Sequence, residues 1–399
     1  MEATVENHGQ RGISRGMTLL FAVAGGAAVG SLYWAQPLLA DIAGTFNVSV
    51  GTAGILITMT QIGYALGILL LVPLGDTLSR RRLVPTVMIC SSMALLACAF
   101  APSFIALMVS LWAVGLSTVA GQILTPLAGD LAKPEERGRV VGTVVSGLIS
   151  GILLSRTVSG FLADALGWRS VYIFAAVAII LLAIALARVL PAERPRTAVP
   201  YGVLLRSVFV VVAHHRSAQA TLAIGATLFG VFSMFWTGLT FLLSSPPFGY
   251  SVSQIGLVGL VGLAGALAAQ RAGRLHDRGW SVGGTGATLS LGLVSVIIAG
   301  LGSTSIYLIL TAVLLLDVAV QGTNLLSQTR LLSIDPAARS RLNTAFVASN
   351  FVGGAAGSAL TGVLWEYGGW MLVMSGAGVL VIISLIIWFT QRKYLAVSR

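Results

Sequence analysis

Residues 314–330, LLLDVAVQGTNLLSQTR, place one acid and three amides in a run that is otherwise mostly Leu, Val, Ala and Gly. At 100° per residue Asp317, Gln321, Asn324 and Gln328 share about 60° of arc, so a helix here carries one polar stripe. Asp317 is the only acid well inside an apolar run; Asp41, Asp130 and Asp164 fall at the ends of theirs. An acid in such a place can carry a proton, hold a cationic substrate, or remain protonated and hydrogen-bonded to Gln321 or a neighbouring helix. Arg156 is read as the one base inside such a run. A guanidinium keeps its proton, so Arg156 must pair with Asp317, bind an anionic substrate, or reach the surface along its aliphatic stem.

Further polar residues share these surroundings. Thr118, Gln122 and Thr125 form a second narrow stripe, and Tyr33, Gln61 and Tyr64 add phenol and amide groups. Trp34 and Trp236 fit either an interfacial belt or the lining of a site for apolar compounds. Nucleophilic or metal chemistry finds no support. His8, His214, His215 and His276 fall in polar segments, no HExxH motif occurs, and no second acid is available to pair with Asp317. Neither an enzyme nor a cofactor or metal is expected.

The elements that hold these residues follow from composition. Of 399 residues 56% are hydrophobic and 9% charged, with mean hydropathy +0.92, where soluble domains carry about a quarter charged residues. Apolar runs of about 20 residues, the length that crosses a hydrocarbon layer as helix, give spans near 17–40, 51–74, 83–101, 103–128, 140–164, 168–190, 217–243, 254–272, 282–302, 305–329, 342–364 and 369–390. The expected fold is an all-α membrane protein of twelve spans. Residues 1–16 lack the apolar core of a signal peptide, so the first span is expected to be retained. The net charge of +11 lies on one face: counting span ends, 22 of the 24 Lys and Arg fall on it, all but Arg156 and Arg169. Basic loops resist translocation, so that face and both termini are expected in the cytoplasm. No basic and aromatic nucleic-acid module occurs; the expected partners are a lipid bilayer and a small-molecule substrate.

The chain also repeats itself at an offset of about 202 residues. Trp34 falls on Trp236, Ser31 on Ser233, NVSVGTAG (47–54) on GYSVSQIG (249–256), Gly151 on Gly353, Gly160 on Gly362 and Trp168 on Trp370. PEERGR (134–139) and PAARSR (336–341) both read P-x-x-R-x-R. Two like-oriented six-helix bundles are expected, 1–190 and 217–399, joined by a cytoplasmic linker, 191–216, with a short surface helix. Substrate then binds between them near mid-membrane.

Three motifs carry a family resemblance. VPLGDTLSRRR (72–82) keeps the acid and basic cluster of a G-x-x-x-D-R-x-G-R-R loop, in Asp76, Arg80, Arg81 and Arg82; GRLHDRGW (273–280) keeps Gly273, Asp277 and Arg278. Span 5 keeps the spacing of G-x8-G-x3-G-P-x2-G-G with Gly142, Gly151, Ser155, Ser159 and Gly160, and places Arg156 where that pattern has Pro. The chain thus resembles the major facilitator superfamily, specifically its twelve-helix drug:proton antiporter branch, over nearly its whole length. The resemblance implies a monomeric, proton-coupled exporter of small, largely apolar compounds in a bacterial-type inner membrane, with spans 1, 4, 7 and 10 around a central cavity. The competing reading is proton-coupled uptake or export of a polar or acidic metabolite such as a sugar or organic acid. It further implies a cytoplasmic latch in which Asp76 meets the start of span 11 near Arg341, and Asp277 the start of span 5 near Arg139. In span 4, aligned on Gly115, Leu111 stands where that branch has Arg.

Overall fold

The computed structural model describes residues 13–191, 200–269, 281–335 and 338–395. These form an all-helical fold. Following the expected spans, the helices are α1 (Arg15–Gly30), α2 (Val50–Thr77), α3 (Arg80–Ala99), α4 (Phe104–Leu131), α5 (Arg137–Leu166), α6 (Trp168–Val189), α7 (Arg216–Ser244), α8 (Val252–Ala269), α9 (Ser281–Leu301) and α10 (Ile306–Ile334). The closing run Arg339–Leu395 bends at Gly368 and Gly369, giving α11 (339–367) and α12 (370–395). Gly369 has φ 58° there, a conformation that only glycine adopts freely. Nine helices among the described residues are long and apolar enough to cross a membrane; splitting the last and adding α1 and α8 accommodates the twelve crossings. A separate helix, Tyr201–His214, lies between α6 and α7 in the chain, with the Tyr201 hydroxyl donating to the Leu70 carbonyl in α2.

Two helices are interrupted in ways that matter later. α1 stops at Gly30; a turn over 31–35 leads into a 3-10 turn, Gln36–Leu38, and a helix Leu39–Phe46. Pro37 lies in that turn, lacks an N–H, and disfavours the α conformation before it. α4 changes direction at Thr118–Val119, between Phe104–Ser117 and Ala120–Leu131.

With lipid on the outside, close packing has to come from small residues that let backbones approach. α1 crosses α5 where Gly26 and Gly30 meet Gly147 and Gly151, and α7 crosses α11 where Ala226 and Gly230 meet Gly353 and Gly357. Between the two sequence halves α5 packs on α8 and α2 on α11. A Cβ on Gly353 would overlap the Ala226 carbonyl oxygen, a backbone atom with no freedom to move aside. Gly353→Val is therefore expected to cost about 1–3 kcal/mol by overpacking, read as a lower melting temperature in detergent. Val352→Ile, at an exposed neighbour, leaves it unchanged.

Candidate functional site

Arg156 is only 2% exposed. Its Nε donates to Gln36 Oε1 at 2.7 Å, a bond made available by the interruption of α1. Three aromatic rings surround the guanidinium: Trp236 with its centroid 4.1 Å from Cζ, Tyr33 at 4.9 Å and Phe232 at 5.8 Å. Such faces attract a cation but accept no in-plane hydrogen bond, and Nη1 and Nη2 have no acceptor. Gln36 escaped sequence reading because it sits in a short turn; its signal was the neighbouring Pro37.

Asp317 is 1% exposed. It makes no salt bridge with Arg156, although each lies within the other's electrostatic field, and Oδ2 has no hydrogen-bond partner. Room for both comes from α8, whose sequence reads GLVGLVGLAG over 256–265. A Cβ on Gly262 would stand 2.5 Å from Asp317 Oδ2 and 3.3 Å from Trp236 Cζ2; one on Gly259 would stand 3.5 Å from Arg156 Cβ. A Cβ on Gly256 would stand 2.5 Å from the Arg156 carbonyl oxygen. The G-x-x-G repeat was readable in the sequence as a helix face built for close approach.

The polar stripe of α10 is graded rather than uniformly open. Asp317 is sealed, Gln321 and Asn324 are half-buried, and Gln328 is exposed. Gln328 lines a cavity of about 780 Å³ on the basic-loop face, together with Gln122, Thr125, Asp76, Arg80 and Arg339. Asp317 is not on that lining: in this conformation the wall of α8 glycines and Trp236 closes over it. Asn324 Oδ1 accepts from Asn350 Nδ2 at 3.3 Å.

Between cavity and acid–base pair runs a chain of rings. Gln122 at the cavity wall donates to the Tyr64 hydroxyl at 3.3 Å. Tyr64 packs on Phe351 (4.4 Å between centroids), Phe351 on Phe229 (4.9 Å), Phe229 on Phe232 (5.4 Å) and Phe232 on Trp236 (6.2 Å), which covers Arg156. Trp34 and Trp236 are both buried, which corrects the interfacial-belt reading: Trp34 donates to Ser31 Oγ, and Trp236 is the last ring of this chain. Gln61 Nε2 bridges α2 to α7 through Ser233 Oγ at 2.8 Å, and Thr118 shares a 3.0 Å bond with Ser91 of α3.

Arg156 also has company that the sequence reading placed in a loop. Arg330 lies inside α10, fully buried, donating to Ser281 and Thr285 of α9. The helix continues to Ile334 because no breaker intervenes before Asp335, so Arg156 is not the single buried base.

At the basic-loop face the arginine cluster divides. Arg80 is buried, donating to Gly75 O at 3.1 Å and Asp130 Oδ2 at 2.8 Å, with Asp76 at 3.8 Å. Arg81 and Arg82 are exposed. Arg139 pairs with Glu136 at 3.0 Å, and Arg339 and Ser340 at the start of α11 line the same cavity as Asp76. Gly273, Asp277 and Arg278 lie outside the described residues.

The opposite face is shut by two related contacts. Asp164, at the end of α5, accepts from Ser253 N–H at 3.0 Å and Ser251 Oγ at 2.9 Å, at the start of α8. Glu366, at the end of α11, accepts from Ser49 Oγ, just before α2. The 202-residue offset carries Ser49 onto Ser251 and Asp164 onto Glu366. Each acid thus meets a helix N-terminus of the other sequence half, where the dipole favours negative charge. Deeper, Thr157 donates to Gly256 O at 3.0 Å and Thr58 shares a 2.8 Å bond with Ser358.

Residues 19–333 match the family model described as the Major Facilitator Superfamily. The chain is 42% identical over 377 residues to the uncharacterized transporter YgaY of Escherichia coli O157:H7, covering 94% of this chain and 96% of that one. It is 32% identical over 366 residues to the probable transporter SCO4007 of Streptomyces coelicolor, covering 92% and 85%. Among solved structures it superposes on the peptide transporter POT with a TM-score of 0.74 at 14% identity, covering 94% and 95%. It also superposes on a bacterial homolog of the human lysosomal transporter Spinster, in an inward-facing and unoccupied conformation, with a TM-score of 0.70 at 16% identity, covering 95% and 96%. At these identities the likeness to both is one of fold.

Hydrogen bonds to a charged group contribute about 1.5–3 kcal/mol. Asp164→Asn or Glu366→Gln is therefore expected to shift the balance toward opening of the face away from the basic loops by about tenfold or more. Cysteine accessibility on that face, measured in membrane vesicles, checks this; unchanged labelling in both variants would show that the acids do not hold it closed.

Proposed function

Because the chain belongs to the major facilitator superfamily, we propose that it is a proton-coupled secondary transporter, working by alternating access, that exports small, largely apolar compounds. The observation that carries this reading is the run of rings from the cavity to Arg156 and Asp317. A wholly polar substrate would be stripped of water along that run without replacement bonds, whereas an apolar body gains contact with Tyr64, Phe351, Phe229, Phe232 and Trp236.

In this reading Asp317 carries the proton, and Arg156 holds the substrate's polar group. The bundles 1–190 and 217–399 rock about the linker as a monomer in a bacterial-type inner membrane. The basic-loop face and both termini lie in the cytoplasm, so the cavity of the present structure opens inward. Asp76 and Arg80, facing Arg339 and Arg341, close that side in the other half of the cycle, and Asp277 with Arg139 does so on the pseudo-symmetric side. The drug:proton antiporter branch and the outward direction rest on the motif resemblance.

A second reading, transport of an acid-bearing metabolite, is favoured by one observation. Arg156 offers two nitrogens without acceptors in a site where every other bond is made by Gln36 or aromatic faces.

Asp317→Asn preserves shape and removes the titrating group. In proteoliposomes with an imposed pH gradient, it is expected to lose substrate-dependent proton flux entirely while folding and substrate binding persist. Parental flux with unchanged pH dependence would remove Asp317 from the coupling role.

A further inference from the structure

The charges sealed around Asp317 and Arg156 constrain what can join them. Among the described residues the charged and titratable groups facing Asp317 are few: Arg156 from α5 and Tyr33 from the turn after α1. α7 contributes Trp236, and α8 contributes the glycines at 262 and 265. Arg156 is permanently +1. With Asp317 ionised the sealed site sums to zero, a condition that matters because uncompensated charge inside a membrane protein is costly.

A cationic substrate leaves a surplus of at least +1 whichever state Asp317 adopts. A neutral apolar substrate without an acceptor leaves the two Arg156 nitrogens, and the buried Trp236 Nε1 that also lacks an acceptor, unsatisfied. A neutral acceptor offers the guanidinium one uncharged oxygen where a carboxylate offers two charged ones. A monoanion accepts from those donors and keeps the site neutral provided that Asp317 takes up one proton. The Nη1–Nη2 edge presents parallel N–H groups suited to the two oxygens of a carboxylate or sulfonate. Trp236 and Phe232 lie beside it for an attached apolar body.

Resting on the second reading above, we propose that the Arg156 site takes a small monoanion with an apolar body and that this anion crosses together with one proton held by Asp317. Both the loaded and the empty occluded sites are then neutral. Exchange of the anion against the proton would instead seal a net charge in each half of the cycle. The resemblance to antiporters therefore does not extend to the sense of coupling.

Purified full-length protein in detergent is tested by thermal shift with benzoate, octanoate, p-toluenesulfonate, benzylamine and benzyl alcohol. p-Toluenesulfonate keeps its charge across the range, so any pH dependence of its binding belongs to the protein. The expected result is stabilisation by the anions alone, with the Kd for p-toluenesulfonate falling up to tenfold per unit decrease in pH. Asp317→Asn, which mimics the protonated acid, should bind it at every pH with the low-pH affinity; Arg156→Gln should not bind it. If Arg156→Gln fails to fold, the pH-independent binding of Asp317→Asn decides.

Stabilisation by benzylamine or benzyl alcohol but by none of the anions would overturn the proposal, as would anion binding that ignores pH in the parent protein. Proton flux coupled to a neutral apolar compound, without anion binding, would overturn it and leave proton-coupled transport intact. pH-linked anion binding without flux in vesicles would uphold the site and sink the transport reading instead.

Discussion

A guanidinium cannot be neutralised by losing its proton, and the middle of this molecule is organised around that fact. Arg156 is carried into the protein on a helix of 30 residues, so every partner must be brought to it. One comes from the turn that interrupts α1, where Pro37 prevents regular helix and frees Gln36 to face inward. Others come from α7, which stacks two rings against the charge. The compensating carboxylate comes from α10, and α8 fits among these helices only because it presents glycine at every third position. Remove the charge, and neither the broken helix nor the glycine track has an evident reason to exist.

The two halves of the chain share a packing plan, and the site lies where the plan is broken. In the first half Gly115 of α4 presses against the Thr60 backbone of α2; at the corresponding positions of the second half stand Asp317 and Gly262. The small and large partners have changed sides, which makes a niche for a carboxyl group. At the α2–α11 contact Ser358 is satisfied by Thr58, whereas its counterpart in the first half is Arg156. A duplicated scaffold thus supplies stability from residues that match, and chemistry from residues that do not.

Much of this was legible from residues alone. Hydrophobic runs located the helices, and the self-similarity paired Trp34 with Trp236 and Trp168 with Trp370. Asp317 and Arg156 stood out because ionisable groups are rare at that depth. What sequence did not disclose depended on three-dimensional closure. Arg330 looked like a loop residue because apolar runs mark where charge begins, while helices continue until something stops them. The ring chain draws on α2, α7 and α11, whose residues have no common periodicity. Asp317 heads a polar stripe whose exposure belongs to a conformation, and the present one opens only as far as Gln328. Trp236 looked interfacial from its place near a helix end, but the guanidinium beside it gave its ring a buried use.

The paired closures at Asp164 and Glu366 bear on energy conservation. They lie on separate edges of one seam, and passage requires that both part. Where each contributes roughly 1.4 kcal/mol, a factor of ten, the chance of simultaneous release falls as the product, to about one in a hundred. A membrane holding many copies of such a carrier would thereby leak less solute through idle opening than a single clasp would permit.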